Sequence, residues 1–412
     1  MRQIVRMELC VLVGVAIASV GAPAQQWTRF RGPGGSGIGT GGESIPVRWT
    51  EKDHTWKVKL PGGGHGSPVL WGRKLFVLSG EERTGRRVLL CLGAADGKEI
   101  WRRELATGPF EKNRLNAVGA STPTVDATGV YLCLSTPRSV GLAAFGHEGA
   151  ELWRREFGRF ESMHGPCQSP VAYGGLVILP NDQQGPSSLL AVDAATGKTR
   201  WKTPRKAGRA AYGTPCVFRP RTGPAELIFT STAEGITSVD PNTGRVNWRR
   251  ADAFPQRCVG SPAVAGGLVL ASCGQGSRGV RMVAVRPDET DKPPVAWEMK
   301  RGIPYVPTPI ALGKWLFLVT DTGTYSCVEP ATGKIVWQRR VGARFYGSPV
   351  SVGGRLYCIS RSGEVFVHAA SDKYKLLATN PLGERSDATP AVAGGRMYLR
   401  TWSHLICVGG KP

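Results

Sequence analysis

The sequence predicts an all-β fold, an eight-bladed β-propeller of four-stranded antiparallel blades closed by an N-terminal strand, and three observations predict it. The stretch AVDAATGKTRW at 191–201 recurs at 91–101, 143–153, 238–248 and 327–337, each copy beginning with a small residue and carrying Gly six and Trp ten positions later. A Ser or Thr followed by Pro opens an apolar run at Ser67, Thr122, Ser169, Thr214, Ser261, Thr308, Ser348 and Thr389, which gives eight units. The last unit has room for only three strands, whereas WKVKL at 56–60 is a strand that precedes the first unit and has none of its own. Aromatics returning at a fixed turn-to-strand offset, in units of 40 to 55 residues, are the pattern of radially repeated blades.

Taken in order, residues 1–24 carry Arg2 and Arg6, an apolar run over 9–20 and then Ala22-Pro23-Ala24. That is the charged, apolar and small-residue succession of a secretory signal peptide, too short to span a bilayer, with cleavage expected after Ala24. The expectation is a secreted or periplasmic monomer without a transmembrane segment. Residues 25–55 contain WTRFRGPGGSGIGTGG. Gly37, Gly39 and Gly42 formally fit GxGxxG, but no strand precedes them and no helical pattern follows, so this stretch is read as a flexible surface loop pinned by Trp27 and Phe30. Residues 56–412 are the propeller. In each unit Pro stands at the first residue of a strand, where it removes no needed ladder bond. A Gly-rich turn, a second apolar strand, a third strand and the repeat turn follow, and the fourth strand starts at the Trp. Gly in the repeat turn supplies positive φ, while Asp or Asn bonds its own backbone. Trp56, Trp101, Trp153, Trp201, Trp248, Trp297 and Trp337 are expected to dock between blades. Two copies are degenerate: the turn before Trp297 is lengthened by 287–294, and Leu376 and Leu377 replace the Trp of the seventh unit. One blade built from both chain ends leaves no free edge.

Of the ten cysteines, nine follow residue 24, with no CxxC and no adjacent pair. Cys91, Cys327 and Cys407 take the slot that Ala or Ser fills in other repeats, so Cys is read as a small buried apolar residue, with a Cys258–Cys273 pair as the alternative.

Repeats of the form A-x-D-x-x-T-G-x-x-x-W resemble the tryptophan-docking repeats of the PQQ-like propeller superfamily, which includes quinoprotein alcohol dehydrogenases and the non-enzymatic outer-membrane assembly lipoprotein BamB. The resemblance covers about residues 50–410 and implies the fold; both enzymes and scaffolds use it. The dehydrogenases hold pyrroloquinoline quinone under a ring of two adjacent cysteines beside Ca²⁺. No Cys-Cys pair exists here and no Ca²⁺-binding set aligns. The lipid-anchoring Cys of BamB also has no counterpart.

GxSxG and HExxH are absent, and the six His are scattered. No catalytic residue and no metal ligand is assigned. The residues placed to bind a ligand are those at the channel mouth, where the loop entering the first strand and the loop joining the second and third strands open on one face. The former carry His65, Tyr212, Arg257, Tyr305, Tyr346 and Asp387; the latter carry Arg83, Arg138, Asp182, Arg278, Asp321 and Trp402. Aromatics interleaved with Arg suit a planar, anionic or peptide ligand, or else Tyr and Gly merely fill the turns. Lys and Arg number 53 against 31 Asp and Glu, a net charge of +22. Arginine pairs after Trp101, Trp153, Trp248 and Trp337 discourage edge pairing on outer strands. The remaining reading of the charge is an anionic partner, an envelope protein or polysaccharide, rather than nucleic acid, which an exported chain does not meet. The expectation is a non-enzymatic binding or scaffold propeller without a cofactor. The alternative is a PQQ-dependent oxidoreductase with calcium.

Overall fold

The computed structural model describes residues 26–105, 107–109, 112–136, 139–287 and 291–410. The expected leader at 1–24 and Arg138 lie outside the described residues. Among the described residues thirty-two strands form eight four-stranded antiparallel sheets. Blades 1 to 7 are consecutive, spanning 69–105, 124–156, 171–205, 216–250, 263–299, 310–340 and 350–381. Blade 8 takes three strands from 391–409, and its outermost strand is His54–Lys59 from the other end of the chain, with Trp56 opposite Cys407 and Lys59 opposite His404. The predicted closure is therefore the observed one. Among the described residues no helix is long and apolar enough to cross a membrane.

The repeat is legible in the pairing. In blades 1, 3, 4, 5 and 6 the small first residue of the repeat lies directly across from the Trp: Cys91 from Trp101, Ala191 from Trp201, Ser238 from Trp248, Ala284 from Trp297 and Cys327 from Trp337. A small side chain there leaves the indole free to lean out of its own sheet. A β-bulge follows the paired residue in each of these blades, which increases local twist and turns the outer strand toward the next blade.

There the indole docks. Trp153 Nε1 donates to the Ala194 carbonyl at 2.9 Å, Trp201 to Pro241 at 2.9 Å and Trp297 to Pro330 at 2.7 Å, each in the repeat turn of the following blade. The ring lies against the Gly of that turn: a Cβ on Gly197, Gly244 or Gly333 would come within 2.6 to 2.8 Å of Trp153, Trp201 or Trp297. These glycines have φ of 68°, 74° and 74°, so both backbone conformation and contact exclude a side chain. Trp56 closes the circle, donating to Ala94 of blade 1 and packing on Gly97. Trp101 does the same with His147 and Gly149. Two copies differ. The lengthened turn of the blade after Trp248 contains no Gly, and Trp248 donates instead to Glu226 Oε2 in its own blade at 3.0 Å. Trp337 donates to Ser371 but remains half-buried.

The Ser/Thr-Pro mark also has a physical role. The backbone N–H of Ser67 donates to the Thr122 hydroxyl, Thr122 to Ser169, Thr214 to Ser261, Ser261 to Thr308, Thr308 to Ser348 and Ser348 to Thr389, all at 2.9 to 3.0 Å. In six of the eight blades a Ser or Thr hydroxyl thus satisfies a buried amide of the blade before it, which would otherwise cost about 1–3 kcal/mol unpaired.

The N-terminal segment is not a surface loop. Trp27, Arg29 and Arg31 are buried, and the segment crosses the channel from blade to blade. The Trp27 carbonyl accepts from Leu70 in blade 1 and that of Thr28 from Val125 in blade 2. Arg29 donates to the Pro215 carbonyl at blade 4, Arg31 to Pro309 at blade 6, and Gly39 N–H to Ser351 in blade 7. Glycine is required because the segment runs so close to the blades: a Cβ on Gly39 or Gly42 would meet Val392 or Val352 at 2.7 or 2.5 Å. The GxGxxG match is thus packing chemistry that stoppers one end of the channel.

All nine described cysteines are free, eight of them buried and Cys167 half-buried. Burial pushes their thiols up, to about 12 for Cys91, Cys216 and Cys407, so they behave as apolar side chains.

Candidate functional site

With one end stoppered, the channel is a cup that opens on the opposite face. Its main cavity measures about 690 Å³ and is lined by His65, Tyr212, Arg257, Tyr305, Tyr346 and Asp387, the six residues expected from the loops that enter the first strands. A narrower continuation of about 140 Å³ runs down past the Ser/Thr belt to Phe30 of the plug. Trp402 lines a side pocket of about 220 Å³ that shares His65, Leu115, Asn116 and Asp387 with the main cavity. Arg278 lies outside both. It opens the last strand of an extended hairpin in blade 5, Leu268–Gln275 followed by Arg278–Val285, and is exposed on the rim.

Of the other residues named from the second-to-third-strand loops, Asp182 and Asp321 are buried beneath the mouth. Asp182 pairs with Arg205 at 2.8 Å, and Asp321 accepts the amides of Tyr305 and Val306 at 2.8 and 3.2 Å. Burial raises the Asp321 carboxyl to about 6 despite those amides. Both carboxylates shape loops. Arg83 is a solvated surface residue.

The lining is held by its own contacts. Arg361 grips Asp387 with two bonds at 2.7 and 3.3 Å and lies over the Tyr346 ring at 4.1 Å. The Tyr346 hydroxyl meets that of Ser277 at 2.7 Å, and the Tyr212 hydroxyl meets Ser162 at 2.6 Å. Arg257 Nη1 is 2.8 Å from His164 Nε2, and Arg385 stacks on Trp402 at 4.0 Å. His65 stands 3.8 Å from Asp387, yet burial lowers its pKa to about 4, with Arg400 among the cations that add to the effect, so it is neutral at neutral pH.

Sequence reasoning missed Arg209, His164, Asn113, Asn116, Leu115 and Met163, which come from the long connections before blades 2, 3 and 4. It also missed Arg361, Arg385, Lys112 and Arg114 of the side pocket. Together the two cavities present six Lys or Arg side chains and two carboxylates. Both carboxylates are already matched, Glu82 by Lys112 at 2.6 Å and Asp387 by Arg361. Arg114, Arg209, Arg257 and Arg385 have no carboxylate partner among the described residues. Three further guanidiniums sit in the protein behind and below the cup, also without a carboxylate: Arg400, Arg29 and Arg31, lowered by burial to about 9, 10 and 9 and still charged at neutral pH. Arg400 Nη1 donates to the Gly66 and Leu78 carbonyls, while its Nε and Nη2 have no partner among the described residues. Fixed positive charge in a concave, partly desolvated site focuses potential on whatever enters.

These donors do not fit the calcium and quinone arrangement of the dehydrogenases. Calcium takes six to eight oxygens, several of them carboxylate. Here the two carboxylates are spent on Lys112 and Arg361, and no group of three His, Cys, Asp or Glu comes together among the described residues.

Comparison with known proteins agrees with this geometry at the level of the fold. No curated protein sequence matches the chain. Among solved structures, BamB from Moraxella catarrhalis superposes with a TM-score of 0.64 at 13% identity over 87% of this chain and 97% of its own. The quinohemoprotein alcohol dehydrogenase ADHIIG from Pseudomonas putida HK5 gives 0.64 at 11% over 94% and 81%, and a europium-containing methanol dehydrogenase gives 0.54 at 12% over 85% and 90%. The family model described as outer membrane protein assembly factor BamB matches residues 48–156, 141–339 and 294–408. Those matches run without a gap from the approach to the closing strand almost to the end of the last one, and the chain therefore belongs to that family of PQQ-like propellers.

Proposed function

We propose that this propeller is a non-catalytic binding module of the cell envelope, secreted or periplasmic once residues 1–24 are removed, and that its mouth takes an anionic group of an envelope protein or polysaccharide. The observation that carries this reading is the set of four guanidiniums without a carboxylate of their own, Arg209 and Arg257 lining the cup and Arg114 and Arg385 lining the side pocket that adjoins it. Tyr212, Tyr305, Tyr346 and Trp402 add ring faces and hydroxyls beside those charges, which favours planar anions such as carboxylates over compact, fully hydrated ones.

The test is titration of the mature monomer with poly-glutamate, oligogalacturonate and neutral dextran. The anionic probes bind, dextran does not, and affinity falls steeply as ionic strength rises, since screening shortens the reach of exposed charge to about 8 Å at 0.15 M. Equal binding of dextran overturns the reading. So does stoichiometric retention of pyrroloquinoline quinone with dye-linked alcohol oxidation after incubation with the quinone and Ca²⁺.

A further inference from the structure

We propose that the ligand of the mouth is a peptide: an acidic segment of a partner protein, whose apolar side chain seats between Leu115 and Met163 while its carboxylates reach Arg209 and Arg257. This rests on the reading of the mouth as an anion-binding cup and adds to it what sits above the charge.

Met163 is the most exposed large apolar side chain among the described residues, at 71%, and Leu115 is 42% exposed. The other exposed large apolar residues, Ile100, Leu152, Ile335, Val336 and Leu376 on outer strands and Val280 in the blade 5 hairpin, lie away from the cup, whereas Leu115 and Met163 line the same cavity as Arg209 and Arg257. They are also held in place. Leu115 N–H donates to Asn113 Oδ1 and Met163 N–H to Gln184 Oε1, at 3.0 and 2.9 Å. The two connections that carry them are tied to each other, because Asn113 N–H and Asn116 Nδ2 both donate to the His164 carbonyl, at 3.3 and 2.9 Å. The His164 ring in turn holds Arg257. One set of contacts thus fixes the two apolar side chains and the Arg257 guanidinium relative to each other, and exposed Arg209 stands in the same lining.

That layering selects the class of ligand. An acidic polysaccharide supplies charge but sets hydroxyls against Met163 and Leu115. A peptide alternating acidic and apolar residues satisfies both layers, and a flexible thioether adapts to varied apolar partners. A cavity of about 690 Å³ lies within the usual range of pockets that enclose a drug-sized ligand, so it takes a few side chains and not a domain.

The experiment compares two fluorescent peptides, GEELEELG and GEESEESG, with an oligogalacturonate of matched charge, on the full mature protein and on a Leu115→Ser, Met163→Ser double variant. The Leu peptide binds about tenfold or more tighter than the Ser peptide, the gain expected for burying one Leu side chain. The double variant abolishes that preference and leaves the Ser peptide's affinity unchanged. If the two peptides bind alike, or the sugar binds as tightly as the Leu peptide and the double variant alters nothing, the peptide assignment is overturned while the anionic cup stands. If no anionic probe binds, the cup fails, and this inference with it. Both substitutions are at exposed positions, and unchanged melting of the variant shows that folding is not what the assay reads.

Discussion

Replacing Gly244 by Ala separates the docking of the repeat from the mere formation of its turn. The added Cβ would stand 2.6 Å from Trp201 Cδ2 and Cε3 and 2.8 Å from Thr203 Oγ1, with φ at 74°. Gly267 is the matched control, with φ of 77° and nothing within 4 Å of its virtual Cβ. Left-handed backbone costs a residue with a Cβ about 1–2 kcal/mol at either position. Only Gly244→Ala adds overpacking against an indole that is 7% exposed, about 1–3 kcal/mol more. Trp201→Ala itself costs about 3–5 kcal/mol as a large-to-small core change. In a double-mutant cycle the Gly244→Ala penalty shrinks to that of Gly267→Ala once Trp201 is gone, a coupling of about 1–3 kcal/mol. Urea midpoints at constant m-value provide the readout. Equal destabilisation by the two glycine substitutions, or an additive cycle, would show that the Trp does not dock on the turn and would refute the account of the repeat.

Further predictions concern closure, pH and charge. A chain beginning at Pro61 lacks both the plug and the His54–Lys59 strand and leaves the edge of blade 8 unpaired; size-exclusion chromatography will find it aggregated, and a monomer with unchanged melting would contradict the closure. His368 is fully buried among Tyr325, Phe366 and Tyr374 with neither ring nitrogen bonded among the described residues, and burial lowers its pKa to about 4. Below the unfolded value near 6.5 the unfolded chain binds a proton that the folded chain refuses, so stability falls as pH drops from about 6.5 to about 4, by about 3 kcal/mol in all. His368→Phe flattens that part of the pH–stability curve, and a slope that persists unchanged would assign it elsewhere, His65 being the next group of the same kind. Reversing Arg209 and Arg385, both exposed, to Glu weakens anion binding at least about tenfold while melting barely moves, because exposed charges contribute at most about 1 kcal/mol to folding. Reversing Arg154 and Arg339 on outer strands leaves affinity alone, and equal losses from both pairs would make the binding diffuse. Arg249 is unsuitable for the outer pair, since it meets the buried Glu234 at 2.8 Å.

What was legible in the sequence was whatever repeats. The Trp at a fixed offset, the Gly in its turn and the Ser/Thr-Pro mark recur with the blades, so fold, blade number and closure followed from spacing, even though the docking partner of each Trp and the hydroxyl belt were not themselves read. The plug was not legible because it occurs once. Its bonds join Arg29 to Pro215 and Arg31 to Pro309, across 186 and 278 residues, and neither spacing nor composition marks such pairs. Gly39 and Gly42, read as part of a flexible surface loop, are there because Val392 and Val352 leave no room for a Cβ. At the mouth, loops anchored next to a repeat mark delivered His65, Tyr212, Arg257, Tyr305, Tyr346 and Asp387 to one cavity. Arg278 failed because its hairpin is longer than its counterparts, which carries the side chain past the rim. Arg209, Met163 and Leu115 come from connections whose length varies from blade to blade, so position within the repeat could not place them.

The plug and the closing strand also set an order of events. His54 pairs with Val408, and the segment ahead of it must lie across inner strands of blades 1, 2, 4, 6, 7 and 8. Residues 39–59 are therefore among the last to find their places, because their partners Ser351, Gly395 and Val408 lie more than 300 residues further along the chain. Until then the growing ring carries a bare strand at its leading end and an unstoppered hole through its middle. Contacts spanning almost the whole chain are slow to form. The vulnerable interval is thus the wait between the folding of His404–Gly409 and the docking of His54–Lys59 on it, and a chaperone that shields strand edges or a protease would act on the ring at that stage.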